Sequence, residues 1–161
     1  MNEATLCLLL DDTPPGYLLL GRKKRGFGQG KYVGFGGKIE PGETIVETAI
    51  RELAKETGIC VAHTDLERVA HLTFLFPARP AWNHLVHVFL AQRWKGQPTE
   101  SREVRPAWFP LDALPYSQMW DDASHWLPPL LSGQHIRGQF IFNEDNDTVR
   151  CCQLDPWHRR Y

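Results

Sequence analysis

The sequence predicts an α/β protein in which a mixed β-sheet is held between two helices. The chain has 161 residues, a length that suits one domain spanning residues 1–161. Hydrophobic residues make up 42% of the chain and charged residues 23%, a balance typical of a soluble protein with a single core. Apolar runs of strand length alternate with two longer helical segments, and this order favours a sheet packed between helices.

The predicted strands are short apolar runs bounded by turn-forming residues. Two of them, residues 5–10 and 17–20, flank a turn rich in aspartate and proline. The later strands are residues 72–76, 85–91, 104–109, 139–142 and 148–154, the last two as a hairpin. Residues 22–37 lie between the early strands and the main helix, and they are expected to be loops that are first basic and then rich in glycine.

Residues 44–57 form the clearest predicted helix. The apolar residues that recur at helical spacing and define its buried face are Ile45, Val46, Ala49, Ile50, Leu53 and Ala54. Thr44 and Glu47 have the spacing of a capping box, and Gly58 stands where a glycine often ends a helix. A second helix is expected over residues 121–131, where two adjacent prolines would shorten or kink it.

Charge, cysteine spacing and the N-terminal pattern exclude several classes of protein. The net charge is −1, so no general surface for nucleic acid or membrane is expected. No pair of cysteines has CxxC spacing, so neither a zinc site nor a disulfide framework is expected. The apolar stretch at residues 6–10 is too short for a signal peptide or a membrane span. We expect a cytoplasmic monomer whose partner is a small molecule.

Glu52 and Glu56 are the first candidates for chemistry. They are four residues apart on the predicted helix, so their carboxylates lie one turn apart on the same side. Like charges at this spacing repel by about 0.2–0.5 kcal/mol. A hard cation such as Mg²⁺ converts that repulsion into coordination and leaves positions for substrate phosphates. The alternative is a solvated acidic face, which the pair alone does not exclude.

Residues 37–59 resemble the signature of the Nudix hydrolases, Gly-x5-Glu-x7-Arg-Glu-U-x-Glu-Glu-x-Gly-U, in which U is a bulky aliphatic residue. The positions that agree are Gly37, Glu43, Arg51, Glu52, Leu53, Glu56, Gly58 and Ile59. The resemblance implies a Nudix α/β/α sandwich and a reaction that depends on Mg²⁺, with Mn²⁺ as an alternative. It also implies that Glu52 and Glu56 hold the metal, and an ion pair between Arg51 and Glu43 would fix the preceding loop.

Several segments outside the signature resemble one subfamily, the oxidised purine nucleoside triphosphatases of animals, also called 8-oxo-dGTP diphosphatases. These segments are residues 23–28, 34–38, 87–89, 105–109 and 119–122. The resemblance implies hydrolysis of substrates such as 8-oxo-dGTP or 2-oxo-dATP to the monophosphate and pyrophosphate. Such a reaction sanitises the nucleotide pool and thereby prevents DNA damage.

The resemblance also implies a base pocket. Trp120 is expected to stack on the purine, and Phe27 and Phe74 are expected to line the same pocket. Asp121 and Asp122 are expected to read the edge of the base. If one of these carboxyls is protonated, the pair offers a hydrogen-bond donor and an acceptor together.

The remaining implied roles concern the phosphates and the metal. Lys23 is expected near the sugar or the phosphates. The carbonyl of Gly36 and the carboxylate of Glu100 are expected to complete the metal shell. Either Glu56 or Glu100 would accept the proton of the attacking water, and the sequence leaves this choice open.

Three departures from the family pattern keep other functions open. Lys55 replaces the first of two adjacent glutamates in the signature, which favours a nucleotide-binding module with weakened catalysis. Val33 replaces a purine-contacting asparagine in the expected pocket, which favours another nucleoside diphosphate derivative as substrate, such as a dinucleoside polyphosphate. The proline expected between Trp120 and the aspartates is missing, so the aspartates are expected to be displaced.

Overall fold

A computed structural model describes residues 1–158 and contains one eight-stranded mixed sheet with a helix on each face. The strands are β1 (Asn2–Asp11), β2 (Tyr17–Lys23), β3 (Tyr32–Val33), β4 (Leu66–Leu75), β5 (His84–Ala91), β6 (Val104–Pro110), β7 (Ile136–Phe142) and β8 (Val149–Pro156). The helices are α1 (Ile45–Thr57) and α2 (Ala123–Leu131). The strand order is β3-β2-β1-β5-β4-β7-β8, and β6 also pairs with β2. The pairs β1–β5 and β4–β7 are parallel and the others antiparallel, which confirms the predicted mixed sheet.

The side chains of β1 alternate between two cores. Cys7 and Leu9 pack with Leu53 of α1, whereas Leu8 packs in the core that contains Leu127 of α2. Consecutive residues of the strand are therefore buried, because both faces of the sheet are covered. This explains why the strand has a continuous apolar run in the sequence rather than an alternating one.

The ends of α1 are fixed as the sequence predicts. The Thr44 hydroxyl accepts a hydrogen bond from the Glu47 amide at 3.1 Å, and the Glu47 carboxylate accepts one from the Thr44 amide at 3.3 Å. At the other end, Gly58 has φ 77° and donates its N–H to the carbonyl of Ala54. The capping box and the C-terminal glycine are both confirmed, so the orientation of α1 is set by local sequence.

Six strands agree with the predicted ones to within three residues at each end, whereas β3 and β4 differ more. β4 begins at Leu66 rather than at residue 72, because Glu67 and Arg68 interrupt its apolar pattern and a bulge follows them. β3 was not predicted. It consists of Tyr32 and Val33 alone, and a two-residue strand carries no periodic signal in the sequence.

The second helix begins later than predicted and continues through both prolines. α2 starts at Ala123 rather than at residue 121 and contains Pro128 and Pro129. The carbonyls of Ser124 and His125 lose their helical partners at these prolines, which is tolerated because both residues are exposed to solvent. Within residues 1–158, no helix is long and apolar enough to cross a membrane.

Candidate active site

The glycine-rich loop before α1 is attached to β1 by backbone hydrogen bonds. The Phe35 amide donates to the Cys7 carbonyl at 2.9 Å, and the Thr5 amide donates to the Gly37 carbonyl at 2.9 Å. A Cβ atom at Gly36 would lie 1.7 Å from the Thr5 carbonyl oxygen. Only glycine fits there, because any side chain would push the loop away from the strand.

The same loop contacts both acidic residues of α1. The Gly36 amide donates to Glu56 Oε1 at 2.8 Å, and a Cβ atom at Gly37 would lie 2.6 Å from the Glu52 carboxyl carbon. Both glutamates are buried, with 7% of Glu52 and 5% of Glu56 exposed. The solvated acidic face considered from the sequence is therefore not what the structure shows.

Arg51 ties the acidic pair to the start of the helix. Its guanidinium donates from Nε to Glu43 at 2.6 Å and from Nη2 to the other Glu43 oxygen at 2.9 Å. A third bond, 2.7 Å long, runs from Nη1 to Glu52. The hydrogen bonds from Arg51 are the main reason that the pKa of Glu43 falls to about 2. The predicted Arg51–Glu43 pair is confirmed, and it orients the Glu52 carboxylate through a rigid fork.

The carboxyl of Glu56 is buried beside another acidic residue. Burial raises the pKa of Glu56 to about 7, and the negative charge of Glu52 raises it further. The Gly36 hydrogen bond and the charge of Lys23 act in the opposite direction, and Glu103 adds a small raising effect. Lys23 therefore lies close enough to Glu56 for its charge to act on that carboxyl, and its expected place near the phosphates stays a prediction.

Glu100 does not join Glu52 and Glu56. Its carboxylate is 2.7 Å from the Lys24 ammonium and 3.7 Å from Arg105 Nε, on the exposed side of its loop. The hydrogen bond from Lys24, followed by its charge, lowers the pKa of Glu100. In this structure Glu100 is therefore paired with two cations rather than with the acidic pair, and its part in the metal shell stays a prediction.

Glu103 is the acidic residue of that loop whose negative charge raises the pKa of Glu56, and the sequence analysis did not identify it. Its carboxylate is 3.7 Å from the Lys55 ammonium and 3.6 Å from Arg25. The Lys24 amide donates to the Glu103 carbonyl at 2.8 Å, next to the paired strands β2 and β6. The available signal was its position directly before β6, the strand that pairs with the segment containing Lys23.

The acidic residues fit a divalent cation as an incomplete ligand set. Within residues 1–158, no three side chains of histidine, cysteine, aspartate or glutamate lie close enough together to hold an ion. Glu52 and Glu56 still present two buried carboxylates on one helix turn, and their mutual repulsion is not relieved by a direct cation at Glu56. Mg²⁺ suits such a site, since it takes a few carboxylates and completes its shell with water and phosphate oxygens.

A cavity of about 180 Å³ lies between the sheet and α2. The aromatic side chains that line it are Phe27, Tyr32, Phe74, Phe76, His84, Trp120, Trp126 and Phe142. Gly36 and Gly37 also line it, so the loop that contacts the acidic pair forms one wall of the cavity. An apolar cavity with few polar groups is typical of a small-molecule site.

Most residues expected in the base pocket do line this cavity. Phe27, Phe74 and Trp120 are among them, and Val33 is there without a side-chain hydrogen-bonding group. The Trp120 ring is already stacked on Phe27, with centroids 5.0 Å apart. The Lys31 ammonium lies 4.8 Å from the centre of the Trp120 ring. A base that stacks on Trp120 therefore competes with contacts made within the protein.

The two aspartates point in different directions, which differs from the expected pair at the base edge. Asp122 is buried, lines the cavity and accepts a hydrogen bond of 2.7 Å from the Trp126 indole. Asp121 is exposed and accepts a bond of 2.7 Å from the Val149 amide. α2 begins at the next residue, so Asp122 turns inward, and Ala123 follows it in the cavity wall. Burial raises the pKa of Asp122 to about 6.

His84 is a second polar group in the cavity, and no pattern among the histidines identified it. It lines the cavity at the start of β5, one residue before the predicted strand. Its Nδ1 is 2.7 Å from the Trp82 carbonyl. The alternation of His84 with Val86 and Val88, which point into the same core, was the signal that could have placed it there.

Comparisons with known proteins agree with this geometry. The family model described as the NUDIX domain matches residues 2–130. Similar proteins include the oxidized purine nucleoside triphosphate hydrolases of Mus musculus, 46% identical over 92% of this chain and 93% of that protein, and Danio rerio, 45% identical over 96% and 97%. In structure, the chain is similar to the mutator MutT protein of Bacillus halodurans, with a TM-score of 0.79, 24% identity and coverage of 98% of this chain and 100% of that one.

Proposed function

This chain belongs to the Nudix family, and from that premise we propose that it hydrolyses oxidised purine nucleoside triphosphates to the monophosphate and pyrophosphate. One observation supports this most strongly. Gly36 and Gly37 line the aromatic cavity and also contact the carboxylates of Glu56 and Glu52. A nucleotide whose base fills the cavity would thus bring its phosphates to the acidic pair. The substrate named for the relatives in mouse and zebrafish agrees with this placement.

The acidic pair would hold Mg²⁺ with the help of the substrate phosphates. When bound, Mg²⁺ supplies positive charge to the phosphates and makes water more acidic. Arg51 fixes the orientation of Glu52 through its bond of 2.7 Å, and Gly36 fixes Glu56 through its amide. Lys23 adds positive charge near Glu56, which favours the approach of an anionic substrate.

Proton transfer from the attacking water favours Glu56 over Glu100. Glu56 lies beside Glu52 in the acidic pair that would hold Mg²⁺, so it is close to the water that this ion would make more acidic. The Lys24 ammonium lowers the pKa of Glu100, and a carboxylate of low pKa is a weaker base. We therefore assign the role of proton acceptor to the acidic pair on α1 rather than to the loop residue.

The proposal is tested by measuring product release from a nucleotide panel. Its members are 8-oxo-dGTP, dGTP, 2-oxo-dATP and a diadenosine polyphosphate, each assayed with and without Mg²⁺. We expect pyrophosphate release from the purine triphosphates only with Mg²⁺, and the highest kcat/KM for an oxidised one. If kcat/KM for the diadenosine polyphosphate exceeds that for every purine triphosphate by more than about tenfold, or about 1.4 kcal/mol, the dinucleoside polyphosphate hypothesis is correct instead. Absence of turnover despite nucleotide binding would support the binding module.

Lys55 is expected to weaken metal binding without abolishing it. Its ammonium lies 3.7 Å from Glu103, an acidic residue that acts electrostatically on Glu56. Replacing Lys55→Glu removes a cation and adds an anion beside this group, so the Mg²⁺ concentration for half-maximal rate should fall by about threefold to tenfold. Lys55→Gln is the matched control and should give an intermediate value. Superimposable Mg²⁺ titrations of the three proteins would show that Lys55 does not act on the site.

A further inference from the structure

His84 lines the cavity among aromatic side chains. Its ring is stacked on Phe74, with centroids 5.1 Å apart, and its edge contact with Phe27 has centroids 5.8 Å apart. Nδ1 is bonded to the Trp82 carbonyl at 2.7 Å. Among residues 1–158, no group makes a hydrogen bond to Nε2. The ring is therefore held in place, and its second nitrogen is available to a ligand.

The contact with Trp82 decides what Nε2 offers. A carbonyl oxygen only accepts, so Nδ1 of His84 must carry the hydrogen. Burial is the main effect that lowers the pKa of His84, and the charge of Lys38 lowers it slightly further, so the ring is neutral near neutral pH. In a neutral ring with hydrogen on Nδ1, Nε2 has a lone pair and acts as an acceptor.

His84 and Asp122 approach the cavity from different parts of the fold. His84 belongs to β5, whereas Asp122 precedes α2, which packs against β7. β4 lies between β5 and β7 in the sheet, so β5 and β7 are about 10 Å apart at the usual strand spacing. A planar purine between the two groups would offer a different edge to each of them.

Oxidation of a purine at C8 changes the hydrogen bonding of its N7 edge. In a normal purine, N7 is an acceptor, whereas the 8-oxo form carries an N7–H donor. An acceptor fixed beside N7 would accept a hydrogen bond from the oxidised base. In the normal base, the lone pair of N7 would face the lone pair of that acceptor, and no hydrogen bond would form. Discrimination is strong when the wrong substrate leaves a buried polar group unsatisfied.

We propose that His84 is a specificity-determining residue whose Nε2 accepts a hydrogen bond from the N7–H group of 8-oxopurine nucleotides. This inference rests on the proposed function and names the chemical feature that the cavity selects. Because both 8-oxoguanine and 8-oxoadenine carry the N7–H group, this contact makes each of them preferred over its parent base. It also replaces the hydrogen bonding that Val33 and the outward Asp121 do not supply.

The test compares kcat/KM for 8-oxo-dGTP, dGTP, 8-bromo-dGTP, 8-oxo-dATP and dATP. We expect the wild-type protein to prefer each 8-oxo nucleotide over its parent by at least about tenfold, the usual scale for one satisfied hydrogen bond. 8-Bromo-dGTP has bulk at C8 but no N7–H group, so it should gain nothing. His84→Phe should reduce both preferences to within about threefold, whereas His84→Gln, which keeps an acceptor, should retain part of them. His63→Phe, at an exposed histidine outside the cavity, should leave both unchanged.

The inference is overturned if the wild-type protein prefers 8-bromo-dGTP as strongly as 8-oxo-dGTP, a comparison that does not depend on the folding of any variant. It is also overturned if His84→Phe keeps both preferences. These results leave the proposed function intact, because an oxidised triphosphate is still hydrolysed. Absence of pyrophosphate release from every purine triphosphate would instead contradict the proposed function, and the inference would fail with it.

Discussion

Replacing Glu56→Gln is expected to lower kcat at least about 100-fold, equivalent to about 2.7 kcal/mol of activation free energy. Glutamine keeps an oxygen that can accept the hydrogen bond of the Gly36 amide, so the loop should remain in place. It loses the charge that a divalent cation requires and the ability to take a proton. A steady-state assay of 8-oxo-dGTP hydrolysis at saturating Mg²⁺ measures this loss.

The matched control lies on the same helix. Glu47→Gln keeps a side chain that can complete the capping box with Thr44, and it should retain kcat within about twofold. Thermal unfolding of both variants shows whether the fold is intact. Near-wild-type turnover in Glu56→Gln would place the metal and the proton acceptor elsewhere.

Replacing Asp122→Asn is expected to change the pH dependence of stability. Burial raises the pKa of Asp122 from 3.8 to about 6, so the native state binds this proton more tightly than the unfolded chain does. Wild-type stability from this group is therefore highest at low pH and is lost as pH rises through about 6. The whole shift corresponds to about 3 kcal/mol, most of which is lost between pH 4 and pH 6, and asparagine removes it.

Chemical denaturation of both proteins at pH 4, 5, 6, 7 and 8 measures this effect. The free energy of unfolding of Asp122→Asn should rise relative to that of the wild type between pH 4 and pH 6 and stay level between pH 7 and pH 8, while kcat/KM for 8-oxo-dGTP falls about tenfold or more because the buried carboxylate is lost. Asp121→Asn, outside the cavity, should leave kcat/KM within about twofold. A stability difference that stays constant with pH would contradict the raised pKa of Asp122.

The acidic pair on α1 was predictable from the sequence because it depends on local order. The capping box, the spacing of Glu52 and Glu56 and the ion pair of Arg51 with Glu43 all lie within one helix and the turn before it. Helical geometry fixes such relations whatever the rest of the chain does. The signature therefore pointed to side chains that the structure does bring together, and the structure added their burial and the loop that covers them.

The base cavity was less predictable because it is assembled from distant strands and loops. The resemblance of residues 119–122 to the subfamily predicted that both aspartates face the base. The start of α2 at Ala123 leaves only Asp122 facing inward. His84 carries no motif, and its place depends on which face of β5 meets the core. Glu100 and Glu103 are three positions apart in one loop. The pairing of β6 with β2 decides which of them is close enough to raise the pKa of Glu56, and that pairing is not visible in the sequence.

The stack of Phe27 on Trp120 has a consequence for the thermodynamics of ligand binding. Because Phe27 already shields part of the Trp120 ring from water, a purine that stacks there exchanges one aromatic neighbour for another. Burial of apolar surface is what makes the heat capacity change of binding negative. Calorimetric titrations at several temperatures should therefore give a less negative heat capacity change than an open tryptophan platform would, with more of the affinity coming from the polar groups around the base.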